Sequence, residues 1–285
     1  MRFGDPIHVL SPERFRLLRD MINAKSGLYF PDESCFLLES RLSDRVDRLG
    51  LGSFDDYYHL LKYYPEADRE MNEIIELVTT NETYFFREEY QLRSFATDVL
   101  PELARRLASK RRLSIWSAGC STGEEVYTVA MLLLESKLFQ GWDLRVVGND
   151  ISARVLSRAR RGVFGPASFR AAREDLVKRY FNETEEGLKI SDDVRSICRF
   201  GRANLLNDGE LLFVGRVDAI FCRNVLIYFN KQSKLDAVSV FYKHLVPGGY
   251  LMLGHTESLI NLSTAFELAH LSEDMVYRKP EAAHD

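Results

Sequence analysis

The chain has 285 residues, 46% hydrophobic and 28% charged, with a formal net charge of −4. That is enough apolar chain for a sizeable core and enough length for two domains, while the weakly acidic balance argues against tight nonspecific binding to nucleic acid. No run of 18 apolar residues and no signal-peptide pattern appears, so no membrane insertion is expected and the cytoplasm is the expected location.

Residues 1–79 read as a helical domain. Phe15, Leu18 and Ile22, then Leu38, Leu42, Val46 and Leu49, then Met71, Ile74, Ile75 and Val78 recur at helical spacing. A further helix carrying Phe54, Tyr57, Tyr58 and Leu61 starts at Ser53 with Asp56 three residues on, a capping pair, and Ser11-Pro12 is a cap followed by proline at the first helical position. Four helices are predicted. Arg41, Arg45 and Arg48, at i, i+4 and i+7, share one helical face. That face is either a docking surface for an acidic helix or a solvated, salt-bridged surface, since residues 1–80 hold 10 Lys and Arg against 15 Asp and Glu.

Residues 79–112 read as a junction or linker leading into a second domain, 80–285. From Leu113 the grammar changes to short β-rich apolar runs, "RLSIWSAG", "DLRVVGND", "RVDAIFCRN" and "GGYLMLGH", separated by helical segments over 124–136, 152–160 and 231–245. This alternation predicts an α/β fold with a doubly wound sheet. The stretch "AFELAHLSEDMVYRK" predicts a terminal antiparallel hairpin at the sheet edge, and about 180–203 reads as a small strand-rich β-subdomain insertion.

Four segments carry candidate chemistry. In "SAGCSTGEEVYT", Gly119 and Gly123 permit a tight strand-to-helix turn whose helix N-terminus suits a nucleotide-like ligand. Glu125 either completes a capping box with Thr122 or touches that ligand. Asp150 ends the next strand, where it either accepts hydrogen bonds from a ribose diol or caps the following helix. In "VTTNETYFFREEY", Asn81, Thr83 and Arg87 offer polar groups beside a phenylalanine pair of the kind that packs an interdomain seam. In "FCRNVLIYF", Arg223 and Asn224 stand at the carboxyl end of an apolar strand, with Tyr228 close behind. There is no G-x-G-x-x-G, and Cys35, Cys120, Cys198 and Cys222 lack C-x-x-C spacing, so neither a dinucleotide nor a metal is expected and the thiols read as free and buried.

Taken together, "NETYFFRE", "SAGCSTGEEVYT", "FCRNVLIYF" and "LVPGGYLMLGHTESL" stand in the order found in the chemotaxis receptor methyltransferases (CheR), and the chain resembles that family over nearly its whole length. The resemblance implies a Rossmann-like S-adenosylmethionine-dependent methyltransferase that converts receptor glutamates to γ-glutamyl methyl esters and releases S-adenosylhomocysteine. It implies a cofactor pocket of Asn81, Thr83, Arg87, Glu125, Asp150, Asn204, Leu205, Arg223 and Asn224. Within it, Asp150 holds the ribose and Asn204 and Leu205 flank the adenine. Arg87 and Tyr228 are the candidate catalytic residues, orienting carboxylate and cofactor. Arg41, Arg45 and Arg48 are the candidate substrate-binding residues, facing the cytoplasmic helical signalling domain of a chemoreceptor. The expected enzyme is a monomer that binds no nucleic acid. In some family members the β-subdomain captures a receptor tail peptide. The short connection 182–187 here, with Glu183, Glu185 and Glu186, implies action without that tether. A methyltransferase for another substrate and a noncatalytic cofactor-binding adaptor are the alternative readings.

Overall fold

Four apolar stripes at helical spacing build the first unit of this computed structural model, which describes residues 8–281. Helices α1 (Pro12–Ser26), α2 (Cys35–Arg48), α3 (Phe54–Tyr63) and α4 (Ala67–Val78) bury Phe15, Leu18, Ile22, Leu38, Leu42, Val46, Phe54, Tyr57, Tyr58, Leu61, Met71, Ile74, Ile75 and Val78 as their spacing predicts, whereas Leu49 lies just past α2 and is half-buried. The Ser11 hydroxyl accepts the Arg14 N–H, and Ser53 accepts the Asp56 N–H while donating to its carboxylate, so both predicted caps form. The residues up to Thr80 form one unit together with Tyr228–Ser233, and Asn81–Ile227 with Lys234 onward form the other.

The second unit begins with the irregular segment 81–88, and most of the remaining stretch expected as a linker is helix. It holds α5 (Glu89–Ser94), a π-helical turn over Phe95–Val99 and α6 (Leu100–Arg106), whose Phe95, Val99, Leu100 and Leu103 are fully buried. Then follow β1 (Arg112–Ala118), α7 (Glu124–Ser136), β2 (Asp143–Asp150), α8 (Ala153–Arg161), β3 (Val163–Phe164) and α9 (Glu174–Tyr180). After these come β4 (Phe181–Thr184), β5 (Gly187–Ile190), α10 (Asp192–Ser196), β6 (Cys198–Arg202) and β7 (Val217–Cys222), and last α11 (Lys231–His244), β8 (Leu245–Leu253), β9 (Glu267–His270) and β10 (Met275–Arg278). The main sheet has the order β6-β2-β1-β7-β8-β10-β9. Its first five strands are parallel, and β10 and β9 add antiparallel at one edge, as the terminal hairpin predicts.

The segment 180–203 divides differently from the expectation. Only β4 and β5 join a separate small sheet, with β3 as its third strand, while β6 is the outer parallel strand of the main sheet, in register with Val146–Asp150. Period-2 alternation explains this: Cys198 is buried and Phe200 sets its ring 5.5 Å from Tyr127, so this strand has a face for the main core. Phe85, read as part of an interdomain seam, is the hub of an aromatic cluster with Phe164, Phe169 and Phe181, at 4.8, 5.1 and 5.1 Å between ring centres. The cluster ties the 81–88 segment to the small sheet. Cys120, Cys198 and Cys222 are buried free thiols and Cys35 is half-buried.

Candidate functional site

Strand order reverses at β1, which has β2 on one side and β7 on the other. In open α/β sheets that reversal leaves a crevice beyond the carboxyl ends of the strands. Three turns meet around it. Gly119 ends β1 with φ +77°, and a Cβ on it would stand 2.6 Å from Val225 Cγ2 of the loop after β7, so both backbone conformation and close approach require glycine. The Gly119 and Cys120 N–H groups donate to the Asn149 carbonyl at 2.9 and 2.8 Å. Asn149 is itself core: its side chain accepts from the Trp116 indole at 2.8 Å and donates to the Ala203 carbonyl at 3.0 Å.

Asp150, 8% exposed, accepts the Ser121 N–H at 2.8 Å on one oxygen and the Ser152 N–H at 3.0 Å on the other. The N-cap of α8 is Ser152. Its hydroxyl accepts the Val155 N–H, and Asp150 joins the turns after β1 and β2. The Ser121 hydroxyl in turn donates to the Asn81 carbonyl at 3.1 Å, drawing the 81–88 segment to the same strand ends.

A second chain of bonds runs from β1 to β7. The predicted Thr122–Glu125 capping box does not form: α7 starts from Gly123 without a side-chain cap, and Thr122 bonds Glu124. Glu125 instead accepts the Ser117 hydroxyl at 2.7 Å and lies 3.3 Å from Arg223 Nη1. Arg223, whose side chain is 3% exposed, also reaches Glu88 Oε2 at 3.2 Å and donates to the Arg87 carbonyl. Burial pushes the Glu125 carboxyl above its ordinary pKa, and the Arg223 charge opposes that rise. Burial, with Asp150 and Glu125 nearby, raises the Cys120 thiol well above its usual range, so it stays neutral.

The backbone is strained at the same place. Phe86, Glu88, Ser121 and Asn224 all have positive φ, a conformation that costs side chains other than glycine about 1–3 kcal/mol each and collects at functional sites. Four side-chain hydrogen-bond acceptances hold one of these turns. Glu257 Oε2 accepts from Asn224 N at 2.7 Å and Gly254 N at 2.8 Å, and Oε1 from Val225 N at 3.0 Å and Ile227 N at 3.3 Å.

Of the predicted site residues, Glu125 and the Arg87 carbonyl thus bond Arg223 directly, Asn224 reaches the same cluster only through Glu88, at 3.5 Å, and the Asn81 carbonyl joins Asp150 through Ser121. The Arg87 guanidinium donates to the Glu82 carbonyl at 3.0 Å beside the Tyr84 ring. Asn204 Oδ1 accepts the Leu206 N–H at 3.0 Å, its own N–H bonds Glu210, and Leu205 is buried. Thr83 is half-buried. Tyr228 clusters with the helical unit, where its carbonyl accepts the Tyr29 N–H at 2.9 Å. The arginine face is not a row of three available cations. Arg45 forms a two-point bond to buried Glu70 at 2.8 and 2.5 Å, which Tyr57 joins at 2.6 Å, and Arg41 donates to the Val78 carbonyl and Thr80, so Arg48 alone is exposed. Sequence reasoning missed Glu88 and Glu257, although both sit inside quoted motifs. The signal in each case was an acid beside a strand-end turn.

A profile described as CheR methyltransferase, SAM binding domain, matches residues 81–275, and one described as CheR methyltransferase, all-alpha domain, matches residues 13–79. The chain belongs to the CheR methyltransferase family. Chemotaxis protein methyltransferase 2 of Vibrio cholerae is 35% identical over 95% of this chain and 94% of that protein. Chemotaxis protein methyltransferase 1 of Pseudomonas aeruginosa is 32% identical over 93% and 97%. Among solved structures, the N-methyltransferase NodS from Bradyrhizobium japonicum in complex with S-adenosyl-l-homocysteine gives a TM-score of 0.41 at 17% identity, over 74% of this chain and 98% of that one.

This CheR-family chain is an S-adenosylmethionine-dependent methyltransferase, and its strand-end chemistry suits that cofactor. Glu125 and Glu88 both pair with one buried guanidinium, Arg223, two carboxylates to one cation, a balance that suits a ligand carrying a sulfonium and an ammonium group. Asn224 Oδ1 and Arg223 Nε are buried with no hydrogen-bond partner among the protein atoms described, an acceptor and a donor left for a ligand.

Proposed function

We propose that this enzyme methylates glutamate side chains in the cytoplasmic helical signalling domain of bacterial chemoreceptors, forming γ-glutamyl methyl esters, and that it works as a cytoplasmic monomer. The observation that carries the reading is the Glu125–Arg223–Glu88 cluster at the strand reversal, in a chain whose curated relatives are chemotaxis protein methyltransferases. No described helix is long and apolar enough to cross a membrane.

When bound, S-adenosylmethionine supplies the electrophilic methyl group. A glutamate, with a pKa near ~4.3, is already an anion at neutral pH, so the chain's own task is positioning rather than proton removal. Asp150 orients toward the ribose, Asn204 and Leu205 flank the adenine, and Asn81, Thr83, Glu125, Arg223 and Asn224 line the remainder. Arg87 and Tyr228 orient carboxylate and cofactor. On the helical unit the docking reading narrows to Arg48, because Arg45 and Arg41 are engaged inside that unit.

The enzyme acts without a receptor-tail tether. Supporting this, β4 and β5 pair Thr184 with Gly187, so only Glu185 and Glu186 form the turn of that hairpin. Glu186 is ion-paired with Arg161, so the repulsion of an acidic peptide rests on Glu185.

The decisive assay uses methyl-labelled S-adenosylmethionine with receptor signalling fragments, followed by alkali. Label released as volatile methanol is expected. Base-stable label would exclude an ester, and absence of receptor labelling would exclude the substrate.

A further inference from the structure

We propose that Glu257 is the positioning residue of the active site: its carboxylate sets the conformation of loop 223–227 and thereby aims Arg223 and Asn224 at the cofactor. The inference rests on the reading that those two residues line the cofactor pocket. Beyond Cys222 the β7 ladder ends, and the N–H groups that follow lose their strand partners. Glu257 supplies the replacement, with one oxygen shared by Asn224 N and Gly254 N and the other by Val225 N and Ile227 N.

The arrangement is specific to an acid at this position. A carboxylate offers acceptors on both oxygens, whereas an amide would turn an NH2 group toward two N–H donors. The side chain is aimed by its own backbone, because the Glu257 N–H bonds the Gly254 carbonyl at 2.8 Å and closes a turn over 254–257. Gly254 makes the room: a Cβ there would stand 2.7 Å from Glu257 Oε2 and 2.8 Å from Asn224 N.

Two consequences reach the pocket. Asn224 is held at φ +58° with Oδ1 buried and unpartnered, and Val225 is pressed against the Gly119 turn. Release of the loop would therefore shift both the β7 and β1 sides of the crevice together.

The test is S-adenosylhomocysteine titration calorimetry and thermal melting on the full chain, for Glu257→Gln, Asn224→Ala and the double variant. Glu257→Gln is expected to weaken binding by about tenfold or more, as loss of a charge-assisted hydrogen bond does. In the Asn224→Ala background the same change is expected to cost measurably less than in the wild type, because the Asn224 share of the loss has already been taken. Unchanged affinity in Glu257→Gln, or full additivity with an affinity-reducing Asn224→Ala, would overturn the proposal. Wild-type affinity in Asn224→Ala alone would instead remove Asn224 from the pocket, and the tenfold loss in Glu257→Gln would then carry the positioning through Arg223. If Glu257→Gln does not fold, Glu257→Asp, which keeps the charge but is one methylene shorter, decides: weakened binding supports the role and wild-type binding overturns it.

Discussion

Arg223 and Glu125, 98 residues apart in the chain, meet at 3.3 Å beyond the ends of adjacent strands β7 and β1, and Glu88 sits on the other side of the same guanidinium at 3.2 Å. One buried cation therefore holds two carboxylates. Replacing it with Met should leave like charges uncompensated and destabilise the protein by about 3–5 kcal/mol. Adding Glu125→Gln to Arg223→Met should restore part of that loss. Denaturant unfolding of the single and double variants checks this, and equal stability of the two would show that the pair does not interact.

Asp150→Ala removes the acceptor for both the Ser121 and Ser152 N–H groups as well as the proposed ribose acceptor. Cofactor binding should weaken by roughly 1.5–3 kcal/mol, the scale of a hydrogen bond to a charged group. Calorimetry with S-adenosylhomocysteine measures it. An unchanged dissociation constant in a folded variant would leave Asp150 only its role in joining the turns.

Reversal of charge separates two arginines of α2. Arg45→Glu would face Glu70 directly, so a loss of about 3–5 kcal/mol is expected in the stability of the helical unit. Arg48→Glu, on an exposed position, should leave melting unchanged and raise the apparent Michaelis constant for receptor, with cofactor affinity unaffected. Identical receptor kinetics in Arg48→Glu would end the docking reading.

Without a tail tether, the aromatic-acidic receptor tail pentapeptide should show no binding at about 100 μM, a threshold of roughly −5.5 kcal/mol. Titration calorimetry tests it directly. Low-micromolar binding, or loss of methylation on deletion of the receptor tail, would contradict the proposal.

Glu135 supplies a pH signature remote from the site. Burial pushes its carboxyl upward, but the Tyr180 hydroxyl at 2.6 Å and Arg179 at 2.5 Å outweigh that and hold it below the ordinary value. A lowered folded pKa means that the contribution is present above the ordinary carboxylate range, near ~4.3, and is lost as pH falls through the lowered value. Glu135→Gln should therefore reduce the melting temperature at pH 7 and converge on wild type in strong acid. A constant difference across that range would show that the pair contributes nothing.

The elements that periodicity and caps specify were legible in the sequence: the four helices of the first unit, strands β1, β2, β7 and β8, helix α7 and the terminal hairpin. Each is a local pattern of burial or backbone chemistry, readable without knowing its neighbours. The split of segment 180–203 was not, because β5 and β6 are both short, and which sheet each joins depends on what lies beside it. Partner choice among charged groups was equally hidden. Thr122–Glu125 has capping-box spacing, yet Glu125 turns to Ser117 and Arg223, and Arg45 has docking-face spacing, yet Glu70 claims it. Sequence spacing fixes where a side chain leaves the backbone. Which charge it meets is decided by desolvation, which makes a buried ion costly until its opposite arrives from a distant strand or helix. For the same reason Glu257, an ordinary acid in the chain, becomes the anchor of four backbone donors only once β7 and β8 lie side by side.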